Sequence, residues 1–331
     1  MMLISGNMTL RAAGAAIFCV IIVLGSASVV ITGVSGTARA TPGKKTAIVW
    51  MGLEITGENI TSDLSSLSAH RTDITGVSYE HCILDSTGDL VAIPLVTNVT
   101  NKVRSFGLDA YPMIISASLS DIEYLLAHPS GFIQSAVSAA IGAGYTGYNI
   151  DFEPTQAANA TVAIAYAKFL STLADALHAH GKKLTVDIAT WNPFWNFADL
   201  ANTTVNALFD MSTYASPFFN FGYALSNDVA SIPLSKLGIG LITVNVNNGT
   251  LLPGGSVSER FKAIESENVT SVAVWDMPLA SYWWNDLSQF IGNGVAISTT
   301  VLIYSAGLSA VIAVAAVGIL TFRRNKRKER Q

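Results

Sequence analysis

The sequence predicts an α/β protein: a closed (β/α)8 TIM barrel carried between an N-terminal signal or anchor segment and a C-terminal transmembrane helix. Three observations lead there. Eight short apolar runs alternate with helix-patterned stretches over residues 41–290. Those 250 residues match the ~250 typical of a closed eight-fold barrel. Charge is scarce, at 13% of 331 residues against ~25% in soluble domains. The deficit sits in two blocks, between Arg11 and Arg39 and from Leu287 to Phe322.

The elements follow in chain order. Residues 1–40 read as a secretory signal or an uncleaved anchor: Arg11, an apolar run from Ala12 to Val34, then the small-x-small pattern Ala38-Arg39-Ala40. Strands are expected at Thr46–Gly52, Ile74–Tyr79, Tyr111–Ala117, Gly147–Glu153, Lys183–Thr190, Leu208–Tyr214, Leu237–Thr243 and Ser271–Asp276. Most are continuous apolar runs, as strands covered on both faces must be. The clearest helix is Ala160–His180, stopped at Gly181, which suits a left-handed cap. An open doubly wound sheet is the runner-up, but no Gly-rich phosphate loop follows the first strand. Val295 to Phe322 carries no charge and no Pro, and a bilayer needs ~20 such residues. Arg323, Arg324, Lys326, Arg327, Lys328 and Arg330 follow at once. Positive residues stay cytoplasmic, so the tail 323–331 is expected inside, 295–322 in the membrane, and the barrel outside on a single-pass cell-membrane protein. Six Asn-x-Ser/Thr sequons in the central domain, at Asn59, Asn98, Asn159, Asn202, Asn248 and Asn268, agree with export. A tryptophan pair, Trp283-Trp284, sits about ten residues before the span and reads as a membrane-interface belt.

Residues 41–290 hold 11 basic against 22 acidic residues, a formal charge of −11, which argues against a nucleic-acid partner. Only Cys82 lies in this domain, so no disulfide framework is expected. The histidines show no metal-ligand spacing, and neither metal nor cofactor is expected. Chemistry in such barrels sits at the C-terminal strand ends. The fourth run ends Asn149-Ile150-Asp151-Phe152-Glu153. Alternation puts Asn149, Asp151 and Glu153 on one face, and Ile150 and Phe152 must face the helices. Two carboxylates buried together raise a pKa, which keeps one acid protonated near neutral pH. A solvated acidic loop just past the strand is the alternative.

Gly147-Tyr148-Asn149-Ile150-Asp151-Phe152-Glu153 resembles the D-G-x-D-x-D-x-E signature of glycoside hydrolase family 18. Thr146 and Asn149 stand where that signature has its first two Asp residues. Met211-Ser212-Thr213-Tyr214 resembles the family's M-x-Y-D on the sixth strand, with Ala215 in place of the Asp. Val272–Trp275 resembles the eighth strand, whose Trp floors the sugar site, and Lys183–Trp191 with Asp187 resembles the fifth. The resemblance spans residues 44–290. It implies a glycosidase of the chitinase or N-acetylglucosaminidase type, acting on β-1,4-linked N-acetylglucosamine glycans with retention of configuration. It further implies that Glu153 is the acid and Asp151 its helper on the substrate's acetamide, with Tyr214 bonding the acetamide oxygen. Trp275 would stack under the sugar, and Asn149, Asp187 and Trp191 would contribute to binding. Asn149 is expected to hydrogen-bond Asp151. A second function class stays open: a catalytically silent, glycan-binding barrel, kept in play by Thr146, Asn149 and Ala215 and opposed by the retained Glu153.

Overall fold

The computed structural model of the protein describes residues 44–292, except 54–59 and 96. The expected signal segment, membrane span, tail and the sequon at Asn59 lie outside the described residues. Eight parallel strands close a barrel: β1 (Thr46–Met51), β2 (Gly76–Leu84), β4 (Asp109–Ser116), β5 (Gly147–Phe152), β6 (Lys183–Ile188), β7 (Ala207–Asp210), β8 (Leu237–Ile242) and β9 (Ser271–Trp275). They run in sequence order around the wall, and β1 pairs with both β2 and β9. Each overlaps one of the eight expected runs. The short β3 (Leu90–Ala92) was not expected; it pairs antiparallel with the far end of β2.

Helices α1 (Ile60–Ala69), α2 (Val99–Ser105), α3 (Leu119–Ala127), α4 (Pro129–Gly142), α5 (Ala160–His178), α6 (Phe197–Ala201), α7 (Phe218–Ser231), α8 (Gly254–Ser266) and α9 (Ser281–Phe290) complete the described elements. The best-patterned is α5. The Asn159 side chain caps its start by accepting from the Val162 N–H at 3.1 Å. Val162, Tyr166, Phe169, Leu170, Leu173 and Leu177 repeat at helical spacing and are buried. Gly181, at φ +66°, takes the left-handed turn just past the end. Among the described residues, α5 alone is long and apolar enough to cross a membrane, and half of that stretch is buried in this fold.

Two apolar cores follow from the closed sheet. The larger lies between strands and helices and includes Ile150, Phe152, Tyr166 and the free Cys82. The smaller fills the barrel itself: Ile48, Trp50, Tyr111, Met113, Phe209 and Ala273. There the Trp50 and Phe209 rings meet edge-on at 5.9 Å. The bore is therefore plugged, and anything that binds must enter from the C-terminal mouth.

The two tryptophans before the apolar span are corrected. Trp283 and Trp284 are 0% and 3% exposed. They lie on the inner face of α9, Trp283 against Phe261 and Trp284 stacked on His70 at 4.4 Å. They are core residues, and helical spacing against the barrel explains them.

Candidate active site

The fourth barrel strand, β5, behaves as its alternation predicts. Ile150 and Phe152 are fully buried under the helices, with Phe152 6.0 Å from the Tyr166 ring of α5. Asp151 and Glu153 open the other way, into a cavity of about 180 Å³. Asp187 from β6, Tyr214, Trp275 from the end of β9 and Glu80 from β2 share it, over a floor that includes Trp50 and Met113. A groove of about 480 Å³ adjoins it through Glu80, Asp151 and Glu153 and continues past Ser116 and Asp121. Among the described residues no Lys, Arg or His lines either space. Among the described residues no group of three or more His, Cys, Asp or Glu is arranged to hold a metal ion.

Carboxyls without cations should resist ionising, and these do. Asp151 is pushed well above the usual carboxylate range, first by burial and then by the charges of Glu153 and Glu80. Its Oδ1 is buried with no hydrogen-bond partner. Glu153 stands at the rim, open to solvent on one side, and burial still raises its pKa. Burial raises the Tyr214 hydroxyl too, followed by the nearby Asp187, Asp151, Glu153 and Asp210, so it remains an O–H donor.

Asn149 does not bond Asp151 as expected. Its Nδ2 donates to Asp187 Oδ2 at 2.5 Å, and its Oδ1 accepts from Thr185 Oγ1 at 2.5 Å. The cause is register: Asn149 pairs with Thr185 on β6, which puts Asp187 one inward position further on. Thr146 lies before the strand, away from the mouth. Its hydroxyl accepts from the Ala110 N–H at 3.0 Å, so the departure there does not touch the cavity. Gly147, the next residue, is required by close approach, since a Cβ would sit 2.0 Å from the Lys183 carbonyl oxygen.

The sixth strand ends sooner than its apolar run suggests. β7 stops at Asp210, and Ser212–Tyr214 forms a 3-10 turn. Asp210 Oδ1 accepts from the Ser212 N–H at 3.0 Å, and Thr213 Oγ1 donates to the Gly240 carbonyl at 2.6 Å, which fixes the turn and with it Tyr214. Ala215, where the signature has an Asp, offers its carbonyl to Arg260 at 3.1 Å. Behind the turn Asp210 and Asp228 of α7, at 0% and 1% exposure, are hydrogen-bonded to each other.

Trp191 is not part of the cavity. It is 55% exposed on the rim, edge-on to Trp195 at 5.6 Å. Trp195 and Phe194 are core residues, and Phe218 and Phe219 are exposed outside the cavity. Sequence reasoning missed Glu80 and the Asp210–Asp228 pair. Glu80 accepts from the Leu53 N–H at 2.7 Å and reaches the cavity beside a β-bulge between Glu80 and Cys82. The Ser78-Tyr79-Glu80 alternation was its available signal.

No protein-family model and no curated protein matches the sequence. Solved structures do match. A chitinase from Chromobacterium violaceum superposes with a TM-score of 0.63 at 13% identity, over 75% of this chain and 99% of its own. A class V chitinase from Pseudomonas fluorescens gives 0.61 at 17%, over 75% and 99%. A spore cortex-lytic enzyme from Bacillus cereus gives 0.65 at 14%, over 78% and 76%. What this chain shares with these three proteins is the barrel fold.

Proposed function

We propose that the protein is a glycoside hydrolase that cleaves β-1,4-linked N-acetylglucosamine glycans with retention, using the substrate's own acetamide as nucleophile. The observation that carries this reading is the cavity in which Asp151, Glu153, Tyr214 and Trp275 meet with no cation among them. Glu153, whose pKa burial raises and which opens to the groove, donates its proton to the leaving glycosidic oxygen. The acetamide oxygen attacks the anomeric carbon, so the site needs no second carboxylate as nucleophile. Asp151, which lines both the cavity and the groove, takes the acetamide N–H and offsets the positive charge that develops on the ring so formed. Tyr214 donates to the acetamide oxygen, and Trp275 covers one sugar face. Glu153 then removes a proton from the incoming water. The fold shared with proteins named as chitinases supports a glycan substrate. The uncharged run 295–322 with its basic tail, and the five exposed sequon asparagines among the described residues, support a membrane-anchored barrel facing outward.

The test compares an aryl β-chitobioside with the matching aryl glucoside. Hydrolysis of the first only, with a loss of ~10²–10⁴-fold in Glu153→Gln, is expected. Equal turnover of both substrates would sink the acetamide mechanism. Binding of the chitobioside without turnover would leave a glycan-binding barrel.

A further inference from the structure

Resting on the membrane-anchored reading above, we propose that the closed end of the barrel, opposite the mouth, is a docking face for anionic lipid headgroups. The active site then opens away from the membrane.

Charge is sorted along the barrel axis. In a closed barrel the loops that leave the strands ring the mouth, and those that lead into the strands ring the opposite end. Among the described residues, the loops leaving the strands, each taken with the last residue of its strand, carry Asp85, Asp89, Glu153, Asp210 and Asp276 and no Lys or Arg. The loops leading in, each taken with the first residue of its strand, carry Lys44, Lys45, Arg71, Lys182, Lys183 and Lys236 against Asp73, Asp109 and Glu267. Across residues 41–290 acids outnumber bases two to one, so a basic excess at one end runs against the composition.

The pairing at that end leaves the excess standing. Asp109 takes Lys183 at 3.2 Å, Asp73 takes His70 at 2.8 Å, and Glu265 of α8 takes Lys45 at 2.6 Å. Lys182 Nζ donates to the Tyr145 carbonyl at 2.7 Å, and Lys236 Nζ to the carbonyls of Ala201 and Thr203. A carbonyl does not cancel a charge. Lys44 and Arg71 are exposed, with no carboxylate partner among the described residues. Arg104, in the last turn of α2, is exposed beside Gly144.

The chain identifies the surface that meets this face. Both described ends lie on it, since Lys45 Nζ sits 4.6 Å from the centre of the Phe290 ring. Only residues 293 and 294 separate Gly292 from Val295, where the expected span begins. That step covers at most about 10 Å, close to the ~8 Å over which physiological salt screens a charge. The closed end is therefore tethered within electrostatic reach of the headgroups, and Lys and Arg held that close are drawn to anionic lipid. The acidic mouth is repelled by the same surface. Between the two ends α5, with 19 residues, runs about 28 Å, so Glu153 lies on the side of the barrel away from the lipid. The glycan is drawn from outside the membrane and not from a sugar carried on a lipid headgroup.

The test places the full chain in nanodiscs of phosphatidylcholine, alone or mixed with phosphatidylglycerol, and reads amide exchange by mass spectrometry. With the anionic lipid, exchange in segments 70–75, 179–182 and 232–236 should slow about tenfold, and high salt should reverse it. Mouth segments 85–89 and 153–159 should not change. The double variant Lys44→Glu with Arg71→Glu should lose the slowing while its melting temperature holds. Equal exchange of the closed-end segments in both lipids would overturn the proposal, and so would slowing confined to the mouth or a double variant that keeps the effect. Slowing at both ends that grows with the number of copies per disc would make a second copy's acidic mouth the occupant, and would also overturn it. Release of the protein from cell membranes by alkaline carbonate would instead refute the anchor. The same exchange, read on the released chain with vesicles of the two compositions, would still decide whether the closed end binds anionic lipid.

Discussion

Asp228→Asn asks whether the pair beneath the Tyr214 turn holds a proton. Asp210 Oδ2 and Asp228 Oδ2 are buried, and neither has an N–H or a hydroxyl to accept from. One of them must carry the hydrogen that joins them. Burial, then the charge of Asp210, pushes Asp228 from 3.8 up to about 10. The unfolded chain releases this proton above 3.8, whereas the folded protein keeps it to about 10. Stability from this group is thus fullest below 3.8, erodes as pH rises through the window up to about 10, and changes no further beyond it. At ~1.4 kcal/mol per unit, the ~3 units up to neutrality cap the cost at ~4 kcal/mol. Sharing of the proton with Asp210 brings the expected gain on relief to roughly 1–3 kcal/mol. Asn at 228 never ionises, and its Nδ2 can donate to Asp210 in place of the hydroxyl. Urea unfolding from pH ~4.5 to ~9 should show the variant pulling ahead of wild type as pH rises, and the two converging in acid. A difference between the proteins that does not vary with pH would refute the shared proton.

Other outcomes follow from the same geometry. Tyr214→Phe removes the donor to the acetamide oxygen; a hydrogen bond to a group gaining charge is worth about 1.5–3 kcal/mol, so kcat/KM should fall ~10–100-fold with the melting temperature unchanged. An unaltered kcat/KM would take Tyr214 out of the mechanism. Gly147→Ala forces a Cβ to within 2.0 Å of the Lys183 carbonyl, which should cost at least about 1–3 kcal/mol of stability; equal unfolding midpoints would show that the strands yield. Protease added to intact cells should digest the barrel and spare an epitope placed after Arg323, and the reverse pattern would invert the topology.

The barrel strands are legible because most are apolar on both faces, which leaves a run that a surface strand would not show. Ile150 and Phe152 bracketing Asp151 show from the sequence which way the acid points. Relations between strands were not legible in this way. Asn149 reaches Asp187 because of the β5–β6 register, and nothing local to Gly147–Glu153 encodes that offset. Glu80 was lost because its strand was ended where the apolar run ended, whereas β2 continues to Leu84 through a bulge. The opposite error occurred at Met211–Tyr214, where an apolar run outlasts the strand because Asp210 caps a turn. Trp283 and Trp284 were assigned by their closeness to the span, although α9 has its own apolar face to bury.

The stoppered bore gives the mouth a further property, that of a vestibule with a single door. With Trp50 and Phe209 closing the far side, a glycan cannot thread through. The departing half of the chain and the arriving water must use the same opening, past Glu153. Departure therefore precedes hydration in every turnover of the proposed reaction. The interval between them is the time for which the closed acetamide ring must be kept dry.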